Sequence, residues 1–221
     1  MLLKTDCKCC NKFDRYRCSV CHTDLGLKYP SLGNSLDHSL RFIYCPFCAT
    51  SFENDRKQKI EIERKFLIEI LPSYLEHYNN IENIEQRYIN IDIHKNIEVR
   101  IRRINYKNRN CYYHCVKKGT TNPIIRFEYE RRISQKEYDY LKVFTLHNPI
   151  FKVRYKIPYN NLIIDLDDYK RSLQQLITAE VEFKNEEEAE AFVPPDYFDR
   201  EITNDGLYNN KNLIKFDELF A

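Results

Sequence analysis

The chain has no tryptophan, one methionine and only four glycines in 221 residues. Beside abundant Asn, Ile, Lys and Tyr, these scarcities read as a compositional bias of the source genome and point to no function. Two other absences exclude more. No apolar run approaches the ~20 residues that a membrane helix needs, and the opening "MLLKTDCKCC" lacks the apolar core and cleavage site of a secretory signal. A soluble protein of the cytoplasm is expected. An excess of charge is missing too, since Lys+Arg 35 stand against Asp+Glu 33. That balance gives no global pull toward nucleic acid or anionic membrane, so an anion site must arise from local clustering.

The chain is long enough to bury a real core, and its composition divides it in two. Seven of the nine cysteines fall within the first 48 residues, in a stretch without the long periodic patterns that build a core. In a reducing compartment, such close spacing reads as metal binding rather than disulfides. Cys18-Ser-Val-Cys21 and Cys45-Pro-Phe-Cys48 are two C-x-x-C knuckles, and together they supply four thiolates for a tetrahedral structural Zn²⁺. Cys7 and Cys10 are alternative ligands or part of a second site. Residues 1–54 are therefore expected to form a small zinc ribbon. It would serve either as a folding staple or as an adaptor for a protein or nucleic-acid partner. A closed four-thiolate site leaves no position for a substrate.

From about residue 58 to 221 the pattern is strand after strand with charges at alternate positions. "EIERK" at 61–65, "EVRIR" at 98–102, "HCVKK" at 114–118, "RFEYE" at 126–130, "KVRYK" at 152–156, "DLDDY" at 165–169 and "EVEF" at 180–183 all show it. Alternation of this kind marks a strand with two different faces. Helices are expected near Ser134–Leu146, where Ser134 and Glu137 have capping-box spacing, and over Glu186–Phe192 before Pro194-Pro195.

A solvated sheet face is the simpler account of the charged ladders. Two considerations oppose it. Carboxylates at i and i+2 lie about 6.5–7 Å apart, so each such pair repels by about 2.4 kcal/mol at an effective dielectric of 20. The charges are also sorted: acidic pairs at 61/63, 165/167 and 180/182 and basic pairs at 100/102 and 152/154 keep to separate strands. A surface tuned for solubility usually intersperses its signs. Closing the strands into a barrel with charges inward would gather both sets around one ligand, a metal with an anion, and leave the apolar faces to pack outward against helices.

In this ordered set, residues 58–221 resemble the CYTH domain of the triphosphate tunnel metalloenzymes. The mark is E-x-E-x-K, here Glu61-Ile-Glu63-Arg-Lys65. "VRIR", "CVK", "RFEYE", the K-x-R strand, "DLDDY", "AEVEF" and the closing "REITNDGLYNNKNL" follow in family order. The resemblance implies an α+β fold built on an antiparallel eight-stranded β-barrel with flanking helices. It implies hydrolysis of a small-molecule triphosphate substrate with Mg²⁺ or Mn²⁺. Glu61, Glu63, Lys65 and Asp167 would be catalytic. Glu61, Glu63, Glu180 and Glu182 would hold one metal ion, and Glu128, Glu130, Asp165 and Asp167 a second ion or the attacking water. Asp165 stands where the family often has Glu, which shortens its reach. Lys65, Arg100, Arg102, Lys117, Arg126, Lys152 and Arg154 would cradle the phosphates.

Inorganic triphosphate ranks first because it needs only the tunnel. Adenylate cyclase members carry His-Phe ahead of the first motif, where this chain has Asp55-Arg56, and thiamine triphosphatases lean on an aromatic that is often the missing Trp. Against an RNA 5′-triphosphatase stand the near-neutral charge and the lack of a basic, aromatic-interleaved patch in this chain. A non-catalytic phosphate binder would have no use for the acidic ladders. Among residues outside the site, Lys156, Lys118 and Glu98 are expected near strand ends in solvent, and Tyr155, Tyr169 and His114 in packing roles. Cys111 and Cys115 read as ordinary thiols, and Arg64 as an outward residue near an exposed edge.

Overall fold

A computed structural model of the chain describes residues 2–4, 16–18, 59–94 and 96–214. The chain divides into two units, Met1–Lys57 and Gln58–Ala221. In the first, β1 (Leu2–Lys4) and β2 (Tyr16–Cys18) pair antiparallel. The expected zinc ligands Cys7, Cys10, Cys21, Cys45 and Cys48 lie outside the described residues, and Cys18 is described only as the end of β2.

The second unit is a closed barrel. Its strands are β3 (Lys59–Leu67), β4 (Ile81–Asp92), β5 (Ile97–Tyr106), β6 (Arg109–Gly119), β7 (Ile125–Ile133), β8 (Leu146–Tyr159), β9 (Leu162–Tyr169) and β10 (Ile177–Phe183). Their order around the wall is β10-β3-β7-β6-β5-β4-β8-β9, closed by β9 against β10, and every neighbouring pair is antiparallel. Local chemistry sets the turns. β5 and β6 are joined by Lys107 and Asn108 with φ of 47° and 63°. Two successive positive φ values suit the right-handed twist of a tight hairpin. Asn160 does similar work between β8 and β9 with φ 52°.

Three short helices flank the wall: α1 (Gln135–Lys142), α2 (Glu186–Ala191) and α3 (Asn210–Leu213). Ser134 caps α1, its side chain accepting from the Glu137 amide at 3.1 Å, as the spacing predicts. Asn185 caps α2 through the Glu188 amide at 2.8 Å. Both helices are shorter than the sequence pattern suggests.

The apolar faces of β3, β8, β9 and β10 do point outward. Ile62, Phe66, Ile164, Leu166, Val181 and Phe183 form a core there with Ala189 and Phe192 of the α2 region. β4 departs from the expected plan. It was not among the seven alternating strands, and its pattern runs the other way. Ile84, Gln86 and Tyr88 face inward, opposite Lys152, Ile150 and Arg100 on the neighbouring strands, while Glu85 and Arg87 face out. Ile89 is an extra residue between the Tyr88–Arg100 and Asn90–Val99 pairs, a bulge that bends the strand.

Candidate active site in the barrel lumen

Strand parity places Glu61, Glu63 and Lys65 of β3, Arg100 and Arg102 of β5, Lys117 of β6 and Arg126, Glu128 and Glu130 of β7 on the inner face. Lys152 and Arg154 of β8, Asp165 and Asp167 of β9 and Glu180 and Glu182 of β10 complete it. β3 and β10 are neighbours, with Glu180 opposite Lys65 and Glu182 opposite Glu63. All the lumen residues singled out from the sequence therefore share one cavity wall.

Inside, each carboxylate meets a cation. Glu61 accepts from Lys117 at 2.5 Å, and Glu63 faces Arg126 at 3.3 Å. Glu180 bridges Lys65 at 3.0 Å and Arg154 at 2.8 Å. Arg154 is the hub: it also donates to Asp165 at 2.6 Å and to both oxygens of Asp167 at 2.7 Å. Lys152 donates to Asp167 at 2.5 Å. Glu128 lies 3.5 Å from Arg100 and 3.7 Å from Lys117, and Glu130 is bonded to Arg102. Glu182 pairs with Lys59 at 2.6 Å near the rim, where both are half exposed or more.

Burial sets the electrostatics. Desolvation, helped by Glu63 and Glu128, pushes the Glu61 carboxyl up to about 7 despite Lys117. Burial alone would raise Glu128 too, but Lys117, Arg100 and Arg102 hold it down at about 2. Burial, with Arg154 and Lys65 nearby, pulls Lys152 down to about 8 against the opposing Asp167. Burial works against the Lys65 ammonium, yet Glu180 and Asp167 keep its pKa above the ordinary lysine value. Two guanidinium nitrogens, Nε of Arg100 and Nε of Arg102, are buried without an acceptor among the described residues. A buried donor without a partner is costly, so these two favour an oxygen-rich ligand.

The carboxylates offer hard oxygen donors of the type that Mg²⁺ and Mn²⁺ take. They are dispersed over cations rather than gathered, however. Among the described residues, the grouping of three potential metal-ligating side chains with donor atoms within 4.8 Å of one another is Cys115, Glu128 and Glu130. Glu61, Glu63, Glu180 and Glu182 form no such cluster.

Several positions differ from expectation. Cys115 is no remote thiol: it lines the lumen, fully buried, and its Sγ donates to Glu128 at 3.2 Å. Glu98 is not solvated but 7% exposed, facing Arg100 at 3.7 Å. Lys156 is half-buried against Asp165 at 3.1 Å, whereas Lys118 is exposed as expected. Strand parity alone would have found Cys115, Glu98 and Lys59, since they alternate with Lys117, Arg100 and Glu61. Tyr169 also faces inward, its ring 5.5 Å from the Lys152 ammonium. Arg64 does point outward, but at no exposed edge. It grips Glu201 with two bonds of 2.9 and 2.6 Å, donates to the carbonyls of Ala189 and Phe192 and lies over the Phe66 ring.

No family model matches the chain. An inorganic triphosphatase of Nitrosomonas europaea is 34% identical to it over 155 residues, covering 69% of this chain and 95% of that protein. An inorganic triphosphatase of Acetivibrio thermocellus is 30% identical over 159 residues, covering 70% of this chain and 93% of that protein. A crystal structure of an inorganic triphosphatase aligns with a TM-score of 0.48 at 30% identity, over 70% of this chain and 93% of that one.

Proposed function

We propose, because the chain belongs to the CYTH family of inorganic triphosphatases, that it hydrolyses inorganic tripolyphosphate to pyrophosphate and orthophosphate inside the barrel. The observation that supports this most is the lumen itself. Cations from five strands face one cavity, and two buried guanidinium nitrogens there have no acceptor among the described residues. An entering phosphate chain supplies the acceptors. Lys65, Arg100, Arg102, Lys117, Arg126, Lys152 and Arg154 bind its oxygens, the arginines in forked geometry and the lysines as point charges.

Binding then has a second effect. Each cation drawn to phosphate loosens its carboxylate, so Glu61, Glu63, Glu180 and Glu182 become free to hold a divalent ion, with Glu128, Glu130, Asp165 and Asp167 for another. The donor set fits Mg²⁺ or Mn²⁺. A bound divalent ion neutralises phosphate charge and lowers the pKa of a coordinated water. Asp167, fixed by Lys152 and Arg154, orients the attacking water. The water oxygen bonds to the terminal phosphorus, the bridging P–O bond breaks with its electron pair leaving on pyrophosphate, and of the water's two protons one stays on the new orthophosphate while the other passes to the departing pyrophosphate oxygen. Lys65, locked between Glu180 and the Tyr208 carbonyl, steadies the charge that develops.

For the first unit, the reading is a structural Zn²⁺ held by Cys18, Cys21, Cys45 and Cys48, with Cys7 and Cys10 as substitutes or part of a second site, serving either as a folding staple or as an adaptor for protein or nucleic acid. Stoichiometric zinc surviving Cys18→Ser with Cys45→Ser would reassign the thiolates. For the barrel, phosphate release from tripolyphosphate, ATP, thiamine triphosphate and triphosphorylated RNA, each with Mg²⁺ or Mn²⁺, is the deciding panel. Tripolyphosphate is expected to turn over fastest. Binding of tripolyphosphate without turnover of any substrate would defeat the enzymatic reading.

A further inference from the structure

One end of the barrel is closed by the segment that follows β10. The Lys65 amide donates to Thr203 at 3.0 Å and its ammonium to the Tyr208 carbonyl at 3.1 Å. Arg126 reaches Asn209, and the Tyr169 hydroxyl donates to Asn210 at 2.5 Å. Leu213 and Ile214 then bury themselves on Tyr88, Ile150 and Tyr169. A phosphate chain cannot run through that apolar seal without paying for desolvation.

Beside the seal a gap remains. A cavity of about 200 Å³ runs between this segment and the loop joining β6 to β7. Its inner wall includes Glu98 and Lys117, buried in the lumen, and its outer wall includes Thr121 and Asn204, exposed to solvent. It therefore links the catalytic lumen to the outside at the otherwise closed end. Three lining cations come from three separate elements: Lys117 on β6, Arg126 on β7 and Lys211 on α3. Lys117 and Arg126 already face carboxylates, but the bond from Lys211 that the geometry shows is to a neutral partner, Asn96 Oδ1 at 3.0 Å. Asn96 is itself held in place: it has φ 49°, and its carbonyl accepts from the Gly119 amide at 2.9 Å. A Cβ on Gly119 would come within 1.9 Å of the Asn96 amide nitrogen, so only glycine leaves room for this latch.

We propose that this cavity is a second anion subsite, sized for one orthophosphate, through which that product leaves the sealed end of the lumen. The proposal rests on the triphosphatase reading. The cavity is smaller than the ~300–1,000 Å³ typical of organic ligands, and among the described residues no aromatic side chain lines it to stack a base. Its described lining of Thr, Asn, Lys and Arg suits a small tetrahedral anion, and the one carboxylate in it, Glu98, already faces Arg100 at 3.7 Å. Lys211 is the outer cation, and exchange of Asn96 for phosphate on its ammonium opens the port.

Calorimetry of the full chain with orthophosphate, and separately with pyrophosphate, tests this without any turnover. Lys211→Met is expected to weaken orthophosphate about tenfold, the loss of one charge-assisted contact, and to leave pyrophosphate affinity in place. Gly206→Leu offers an independent check, because a Cβ there meets nothing nearer than Asn209 at 4.0 Å and the side chain fills the cavity without removing charge. It too should weaken orthophosphate selectively. Orthophosphate binding unchanged in both variants, equal loss of both anions, or no orthophosphate binding by the wild-type chain overturns the subsite. Wild-type failure to hydrolyse tripolyphosphate instead overturns the function on which it rests.

Discussion

The barrel carries ion pairs on both faces of the same strands, and the two sets are built differently. Inside, carboxylates and cations form a continuous lattice in which Arg154, Lys117 and Glu180 each serve more than one partner. Outside, the pairs are small and local. Arg64 clasps Glu201, Glu85 joins Arg87 and Arg103 at 2.6 Å each, and Arg131 holds Glu137 of α1. A shared lattice can pass a cation from carboxylate to phosphate with little rearrangement of the wall. A closed clasp has no such freedom, and it fixes a helix or tail to the barrel. Identical residue types thus form a shared network on one face and local clasps on the other.

The largest effect that separates the faces comes from removing a lumen pair whole. Glu61→Gln with Lys117→Met should reduce tripolyphosphate turnover to background while thermal stability holds or rises, since a buried pair replaced by neutral groups is often neutral or stabilising by about 1–4 kcal/mol. A folded double variant with wild-type turnover would break the comparison. Next comes the outer clasp. Arg64→Met loses two bonds to Glu201 and two to backbone carbonyls, so a cost of roughly 2 kcal/mol is expected after discounting for the partial exposure of Glu201. That corresponds to a fall of about 4–8 °C in Tm, with kcat unchanged. A stable but inactive variant would place Arg64 with the lumen instead.

Two carboxylates, Glu201 outside and Glu61 inside, should also answer pH with opposite sign. Hydrogen bonding to Arg64, against a smaller burial effect, holds Glu201 below its ordinary value. The clasp's contribution is then fully present above about pH 4.5 and lost as pH falls through the folded value. Glu61, raised to about 7 by burial, behaves in reverse. Between about pH 4.5 and 7 the folded state binds the extra proton, so stability falls as pH rises across that window. Urea titrations of the metal-free chain should show the acid-side loss reduced in Arg64→Met, since Glu128, Asp167 and Glu180 in the lumen are also held low and keep their share of it, and the neutral-side fall abolished in Glu61→Gln. Matching signs in the two variants would contradict the assignment. The smallest effect belongs to Lys118→Ala on the exposed end of β6, expected within about 0.5 kcal/mol of wild type and without effect on turnover. It is the baseline against which the other changes are read.

The strands with clean alternation were legible because burial on one face repeats every two residues. Glu61 with Glu63, Lys152 with Arg154 and Asp165 with Asp167 could be assigned to one face without any knowledge of their neighbours. β4 escaped because its ladder is mixed: Ile84 and Tyr88 point into a lumen otherwise read as charged, Glu85 points out into an ion pair, and the Ile89 bulge shifts the register. Glu98 was misplaced by its position near a strand end, although its parity with Arg100 was plain. Cys115 was set aside for want of a partner at metal spacing along the chain, when its partners lie across the wall on β7.

The sequence alone determined which side chains share a face, because a strand's two-residue period is a local property of the backbone. It also carried the capping of α1, where Ser134 and Glu137 sit three residues apart. Which cation meets which carboxylate was a different matter. The Glu61–Lys117 contact spans 56 residues and Lys65–Tyr208 spans 143, so strand order, register and closure had to be in place first. The seal by residues 203–214 and the cavity beside it likewise exist only once the segment after β10 folds back across the barrel end. Pairing across a closed wall is a property of three-dimensional register, and no periodicity along the chain encodes it.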